Sequence, residues 1–137
     1  MTLIETMAKI LIIDDEVKLR ETICELLSFV GYDVQEVQDG KEGLDKVKQF
    51  KPNLIICDIM MPIMDGYGFM EKHQISNYSD IPVIFLTARV ERKDEERGLV
   101  LGVKGYLKKP FILKELKQLI EYHLSLEKLY KKNVEAL

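Results

Sequence analysis

The sequence predicts an α/β fold, a doubly wound five-stranded parallel sheet with helices on both faces and strand order 2-1-3-4-5. Three observations carry the prediction. Short apolar runs alternate five times with longer amphipathic stretches, the pattern of strands joined by crossover helices rather than by hairpins. Three runs, Ile10-Leu11-Ile12-Ile13, Leu54-Ile55-Ile56-Cys57 and Val83-Ile84-Phe85-Leu86, are apolar without interruption, as strands covered on both faces must be. Each of these runs stops at a polar residue, Asp14, Asp58 or Thr87.

In chain order, residues 1–7 read as a loosely held tail, with Met7 as a second start. The first strand ends in Asp14, Asp15 and Glu16, three acids that repel one another unless a cation or a helix N-terminus compensates them. A helix follows, with Leu19, Ile23, Leu26, Leu27 and Val30 on its apolar face and Gly31 as its stop. One of the two aspartates can therefore be an N-cap, a plain reading that does not explain both. Asp33–Val37 alternates as a shorter, less buried strand, and Asp39-Gly40 opens a helix carrying Leu44, Val47 and Phe50. Pro52-Asn53 breaks that helix before the strand that ends at Asp58. Its exit loop holds Pro62, Asp65 and Gly66 and precedes a short helix over Tyr67–Gln74. The fourth strand ends at Thr87, a charged helix runs over Glu91–Val100, and a short fifth strand, Gly105-Tyr106-Leu107, delivers Lys109-Pro110-Phe111.

The last helix is longer than the fold needs. Leu113, Leu116, Ile120 and Leu124 are placed to face the sheet, whereas Leu119, Tyr122, Leu126 and Leu129 form a second stripe. That stripe is too short for a coiled coil by itself. It is expected to serve as a homodimer contact or as a lead into another domain, with a fraying tail from Tyr130. The domain organisation is thus a tail over 1–7, one domain over 8–124, and an extension of the last helix over 125–137.

Composition narrows the function classes. With 137 residues, 47% apolar and 31% charged, the chain can bury roughly two thirds of its unfolded surface without disulfide or metal staples. A net charge of -3 argues against a general nucleic-acid surface, because phosphate binding needs a concentrated positive field. Cys24 and Cys57 form no C-x-x-C and lie in apolar runs, so they read as reduced core thiols. Glu5 interrupts the start, no basic segment precedes an apolar one, and no apolar run approaches a membrane span. A cytoplasmic protein without direct nucleic-acid or membrane partners is expected. Neither G-x-x-x-x-G-K-[ST] nor G-x-G-x-x-G occurs, so an ATP-binding kinase or ATPase is unsupported. His73 and His123 have no acidic partners at ligand spacing and read as ordinary histidines.

The strand ends carry the chemistry. In the flavodoxin-like strand order, strands one and three are neighbours at the topological switch point, so Asp14, Asp15 and Asp58 crowd into one crevice. Carboxylates without imidazole or thiolate favour a hard divalent ion such as Mg²⁺. Thr87 and Lys109 reach the same edge from strands four and five. A metal and an ammonium to neutralise oxygens, a hydroxyl donor and a carboxylate nucleophile are the parts that hold a phosphoryl group. Each residue alone also has a plain reading: Asp58 as a turn residue, Thr87 as a helix cap, Lys109 as a solvated charge. The conjunction of five favours the shared site.

Four motifs, Ile12-Ile13-Asp14-Asp15-Glu16, Cys57-Asp58-Ile59-Met60-Met61-Pro62 with Asp65-Gly66 behind it, Leu86-Thr87-Ala88, and Gly105-Tyr106-Leu107-Lys108-Lys109-Pro110-Phe111, are similar to those of the receiver domain of bacterial two-component response regulators, of the chemotaxis-regulator type. The resemblance covers about residues 8 to 124. It implies phosphorelay signal transduction in which Asp58 accepts a phosphoryl group from the phosphohistidine of a sensor histidine kinase or histidine phosphotransfer protein. It further implies Mg²⁺ held by Asp15 directly, Asp14 mainly through water, Asp58 and the main-chain carbonyl of Met60. Thr87 would hydrogen-bond the phosphoryl oxygens, and Lys109, before a cis proline bond, would pair with the aspartyl phosphate. Phosphorylation would repack Thr87 and Tyr106 and so remodel the surface of helix four, strand five and helix five. Such a protein is not a conventional enzyme, since it catalyses only its own phosphorylation and dephosphorylation.

Departures from the family pattern add expectations. Met60 and Arg89 stand where residues flank the attacking water, and neither is a good base, so dephosphorylation is expected to be slow. Lys104 and Gly105 replace acids that the winged-helix transcription-factor subfamily uses in dimerisation, which puts that dimer mode in doubt. The alternatives are a small aspartate-nucleophile phosphatase of the haloacid dehalogenase type, which expects D-x-D after strand one, a receiver piece of a hybrid histidine kinase, and a degenerate receiver that only binds proteins.

Overall fold

The computed structural model of the chain describes residues 8–88 and 92–136. The expected tail over 1–7, Arg89 and the expected helix start at Glu91 lie outside the described residues. The elements run β1 Lys9–Ile13, α1 Val17–Val30, β2 Asp33–Val37, α2 Gly40–Phe50, β3 Leu54–Asp58, α3 Gly66–His73, β4 Val83–Thr87, α4 Arg92–Val100, β5 Gly105–Lys108 and α5 Leu113–Glu135. All strand pairs are parallel, in the order β2-β1-β3-β4-β5, as the alternation of strand and helix requires.

Strand alternation sends odd and even residues to opposite faces, and two apolar layers result. On one side Ile10, Ile12, Leu54, Ile56, Ile84 and Leu86 pack under α1 and α5, which contribute Ile23, Leu27, Leu116 and Ile120. On the other, Leu11, Ile13, Ile55, Cys57, Val83 and Phe85 meet Val47, Phe50, Phe69 and Met70 of α2 and α3. Full burial of each such side chain contributes about 1.5–3 kcal/mol before entropy is counted. The side chain of Asp39 caps α2 by accepting from the Glu42 N–H at 2.9 Å.

Three expectations need correction. Neither Asp14 nor Asp15 is the N-cap of α1; that position is Glu16, which makes no side-chain cap bond. The Asp14 carboxylate instead accepts from the Glu16 N–H at 2.9 Å, ahead of the helix, because it is drawn into the sheet rim by Lys109. Leu26 is 37% exposed: Ile23 and Leu27 define the buried line of α1, and Leu26, one residue off it, lines the groove toward Phe111 and Leu113 instead. Finally α5 continues to Glu135, past the fraying point expected at Tyr130.

Register fixes what stands at the rim. Ile13 pairs with Cys57, Asp58 pairs with Leu86, and Thr87 pairs with Lys108. The residues that leave β1, β3, β4 and β5 therefore share the carboxyl edge of the sheet.

Candidate functional site

Lys109 is the hub of this edge. Its ammonium lies 3.2 Å from Asp14 Oδ2, 3.4 Å from Asp58 Oδ2 and 3.6 Å from Glu16 Oε1. Asp14 is fully buried and Asp58 is 5% exposed, whereas Asp15 is open to solvent. Backbone bonds set these positions. The Lys109 N–H donates to Thr87 O at 2.7 Å, the Asp14 N–H to Val37 O at 3.2 Å, and the Ile59 N–H to Leu86 O at 3.3 Å. The Lys109–Pro110 bond is cis. Thr87 is buried at the end of β4, one residue past the register partner of Asp58.

The loop after Asp58 is held equally closely. The Gly66 N–H donates to Ile59 O at 2.8 Å, and a Cβ at Gly66 would stand 2.7 Å from the Asp58 carbonyl oxygen, so only glycine lets α3 start this near the strand. Asp65 caps α3 by accepting from the Gly68 N–H at 2.8 Å. Met60 and Ile63 in this loop are 73% and 79% exposed, and Ile63 adopts φ 70, a left-handed conformation that costs a β-branched residue about 1–2 kcal/mol.

Among the described residues, charge at the rim does not balance locally. One carboxylate oxygen each from Asp14, Asp15 and Asp58 lies within 4.8 Å of the others, and a single ammonium faces two buried acids, with Asp15 and Glu16 beside them. Burial first, then the Asp14 charge, push the Asp58 carboxyl up to about 6, against the pull of Lys109. Burial works against the Lys109 charge as well, but the Asp14 and Asp58 carboxylates outweigh it and hold the ammonium above its usual value. The donor set is all oxygen, with surplus negative charge, which fits a hard divalent cation. Burial also pushes the Cys57 thiol well up, with Asp58 and Asp14 adding to it, so this thiol stays neutral beside the site.

The edge thus gathers Asp14, Asp15, Asp58, Thr87 and Lys109. Tyr106 lies away from the carboxylates: its hydroxyl donates to Asp94 O at 2.9 Å on α4, and burial pushes it up to about 12. His73 and His123 are buried core residues whose pKa values burial lowers; His73 Nε2 lies 3.0 Å from Ile81 O. Sequence reasoning missed Arg20, which donates from Nη1 to Asp14 O at 2.7 Å and from Nε to Glu36 Oε1 at 2.9 Å, bracing the β1 exit against β2. Both partners lie outside its own helix, so no local spacing announces them.

Comparison with known proteins matches residues 10–121 to the family model of the response regulator receiver domain. The chain is similar to a protein named probable transcriptional regulator ycf27 from Porphyridium aerugineum, 45% identical over 108 residues that cover 79% of this chain and 44% of the relative. It is 40% identical over 108 residues to response regulator MprA from Mycolicibacterium vanbaalenii, covering 79% and 46%. The chain therefore spans less than half the length of these relatives. In three dimensions it resembles chemotaxis protein CheY4 of Vibrio cholerae, with a TM-score of 0.81 and 30% identity, covering 85% of this chain and 98% of the other.

Proposed function

The chain belongs to the response regulator receiver domain family, and from that premise we propose that it takes a phosphoryl group onto Asp58 from a phosphohistidine of a sensor histidine kinase or histidine phosphotransfer protein. The observation that carries this reading is the Lys109 ammonium, 3.2 and 3.4 Å from two buried carboxylates at the rim where Thr87 ends its strand. An Asp58 oxygen attacks phosphorus, the P–N bond breaks, and the imidazole leaves with the bonding pair. Lys109, and Mg²⁺ when bound, would keep Asp58 ionised, as a carboxylate nucleophile requires. Lys109, already beside Asp58, pairs with the charge that the phosphoryl oxygens bring, and the Thr87 hydroxyl donates to one of them. Asp14, Asp15, Asp58 and the Met60 carbonyl would hold Mg²⁺, which when bound neutralises phosphoryl oxygens.

Phosphorylation is read out through Thr87 and Tyr106. As Thr87 turns to the phosphoryl group the Tyr106 ring repacks inward, and the surface of α4, β5 and α5 changes with a coupling of about 1–3 kcal/mol. Exposed Met60 offers no base to an attacking water, so the phosphorylated form decays slowly. Tyr122, Leu126 and Leu129, each 44% exposed or more, supply a homodimer contact along α5. Among the described residues no helix is long and apolar enough to cross a membrane.

The relatives carry regulator names, which speaks against the phosphatase alternative. The test is intact mass after incubation with acetyl phosphate and Mg²⁺. Wild type gains one phosphoryl group and Asp58→Asn gains none; an unmodified wild type, or a modified Asp58→Asn, overturns the proposal.

A further inference from the structure

The carbonyl of Asp14 stands one residue past the β1 ladder, whose last pairs join Ile13 to Val37 and to Cys57. Arg20 takes it up. Nη1 donates to Asp14 O at 2.7 Å, and Nε donates to Glu36 Oε1 at 2.9 Å. The Arg20 side chain reaches back toward the start of α1, the direction that helical side chains take, and it is 13% exposed. Glu36 is the register partner of Ile12, which packs under α1, so both side chains lie on that face of the sheet. The Cys24 thiol first, then Arg20, hold the Glu36 carboxyl below its usual range, and the guanidinium therefore meets a carboxylate.

With Arg20 in place, every polar atom of the fully buried Asp14 has a partner. Its N–H donates to Val37 O at 3.2 Å, Oδ1 accepts from the Glu16 N–H at 2.9 Å, Oδ2 accepts from Lys109 at 3.2 Å, and the carbonyl accepts from Arg20. Asp15 is open to solvent, and it is placed by the peptide that joins it to Asp14. The Arg20 bond acts on that peptide. A planar peptide turns as one unit, so holding the Asp14 carbonyl also fixes the N–H and Cα of Asp15. Charge points the same way. A guanidinium set beside a rim of three gathered carboxylates would by itself repel a divalent cation, and the Glu36 carboxylate offsets it. The Arg20–Glu36 pair thus delivers a hydrogen bond to the rim without net charge.

We infer that Arg20, aimed by Glu36, is a positioning residue for the divalent-cation site: it fixes the Asp14–Asp15 peptide and so keeps the Asp15 carboxylate beside those of Asp14 and Asp58. The inference rests on the proposed Mg²⁺ reading of that site and adds Arg20 and Glu36 to it, neither of them a ligand. Mg²⁺ demands near-octahedral placement of its ligands, so a rim whose Asp15 peptide is free to turn binds it more weakly even with every carboxylate present. Arginine suits the task because its planar fork donates to two acceptors at once, which a lysine ammonium does not reproduce.

The test titrates wild type, Arg20→Gln, Arg20→Lys and Glu36→Gln with Mg²⁺ alone, follows the backbone amide NMR shifts of residues 14–16 and 58–60, and measures urea unfolding of each protein in EDTA. Arg20→Gln and Arg20→Lys are both expected to bind Mg²⁺ about tenfold more weakly, although glutamine removes a positive charge from the rim. Glu36→Gln leaves Arg20 unaimed and its charge uncompensated, so it is expected to weaken binding too, and the double variant is expected to match Arg20→Gln. Tighter or unchanged binding by Arg20→Gln, with Arg20→Lys near wild type, reduces Arg20 to a nearby charge and overturns the inference. Lower urea stability at unchanged Mg²⁺ affinity gives Arg20 a role in the fold alone and overturns it as well. Should Arg20→Gln fail to fold, Arg20→Lys and Glu36→Gln decide by the same criteria. A wild type without a saturable shift overturns the Mg²⁺ reading and this inference together.

Discussion

The centre of the sheet and its α4–β5 edge are built on different principles. Every residue of β3 and β4 is buried, and the groups at their exits are fixed by backbone bonds and one shared ammonium. At the other edge β5 is only partly buried and α4 buries one glycine, so hydroxyl-to-carbonyl bonds and a cation–aromatic stack determine position. The difference teaches where each demand of signalling is met. Chemistry needs charges held before the reaction, which a packed sheet supplies. Output needs an element with two arrangements of similar free energy, which a thinly packed helix supplies.

Lys109→Met attacks the central half of that contrast and carries the largest expected effect. It leaves buried Asp14 and Asp58 without their cation, and the loss of stability is expected to be about 3–5 kcal/mol by urea unfolding at pH 7 in EDTA. A loss under about 1 kcal/mol would mean that the rim charges are not organised by the lysine.

Next in size, and opposite in sign, is Asp58→Asn. The folded state raises the Asp58 pKa from 3.8 to about 6, so the native protein holds this proton more tightly than the unfolded chain does. That contribution is fully present below pH 3.8 and is lost as pH rises through 6, after which ionised Asp58 disfavours the fold. Asparagine does not titrate. In EDTA the variant should therefore match wild type near pH 4 and exceed it by about 2–3 kcal/mol at pH 7 and above. A pH-independent difference would show that Asp58 is not strained by its burial.

The smallest expected effect belongs to the edge. A Cβ at Gly98 would overlap the Tyr106 hydroxyl, so Gly98→Ala should expel Tyr106 from Asp94 while changing stability by only about 1 kcal/mol, because alanine also favours the helix. Freed of burial, the Tyr106 phenol should titrate lower than about 12, its value in wild type. If Gly98→Ala unfolded the protein, α4 would belong with the packed centre and the contrast would fail.

Much of the site was readable from strand ends alone. Asp14, Asp58 and Thr87 each follow an apolar run, Lys109 follows the short fifth strand, and parallel order brings such positions to one rim. Less was readable where the deciding contact spans elements. Asp14 meets Lys109, 95 residues away in the chain, at 3.2 Å, a contact that no local pattern announces. The stack of Arg97 on Tyr67 has no periodicity to announce it.

The sequence by itself determined the five strands, their parallel order and the polar residues at their tips. Burial follows local periodicity, and right-handed crossovers leave few ways to arrange such strands. Only the tertiary structure decided which acids face the one ammonium, how high the Asp58 pKa is driven, and which tyrosines hold α4. Those outcomes depend on distances of a few ångströms between groups far apart in the chain, where a small shift in how two elements pack exchanges one partner for another.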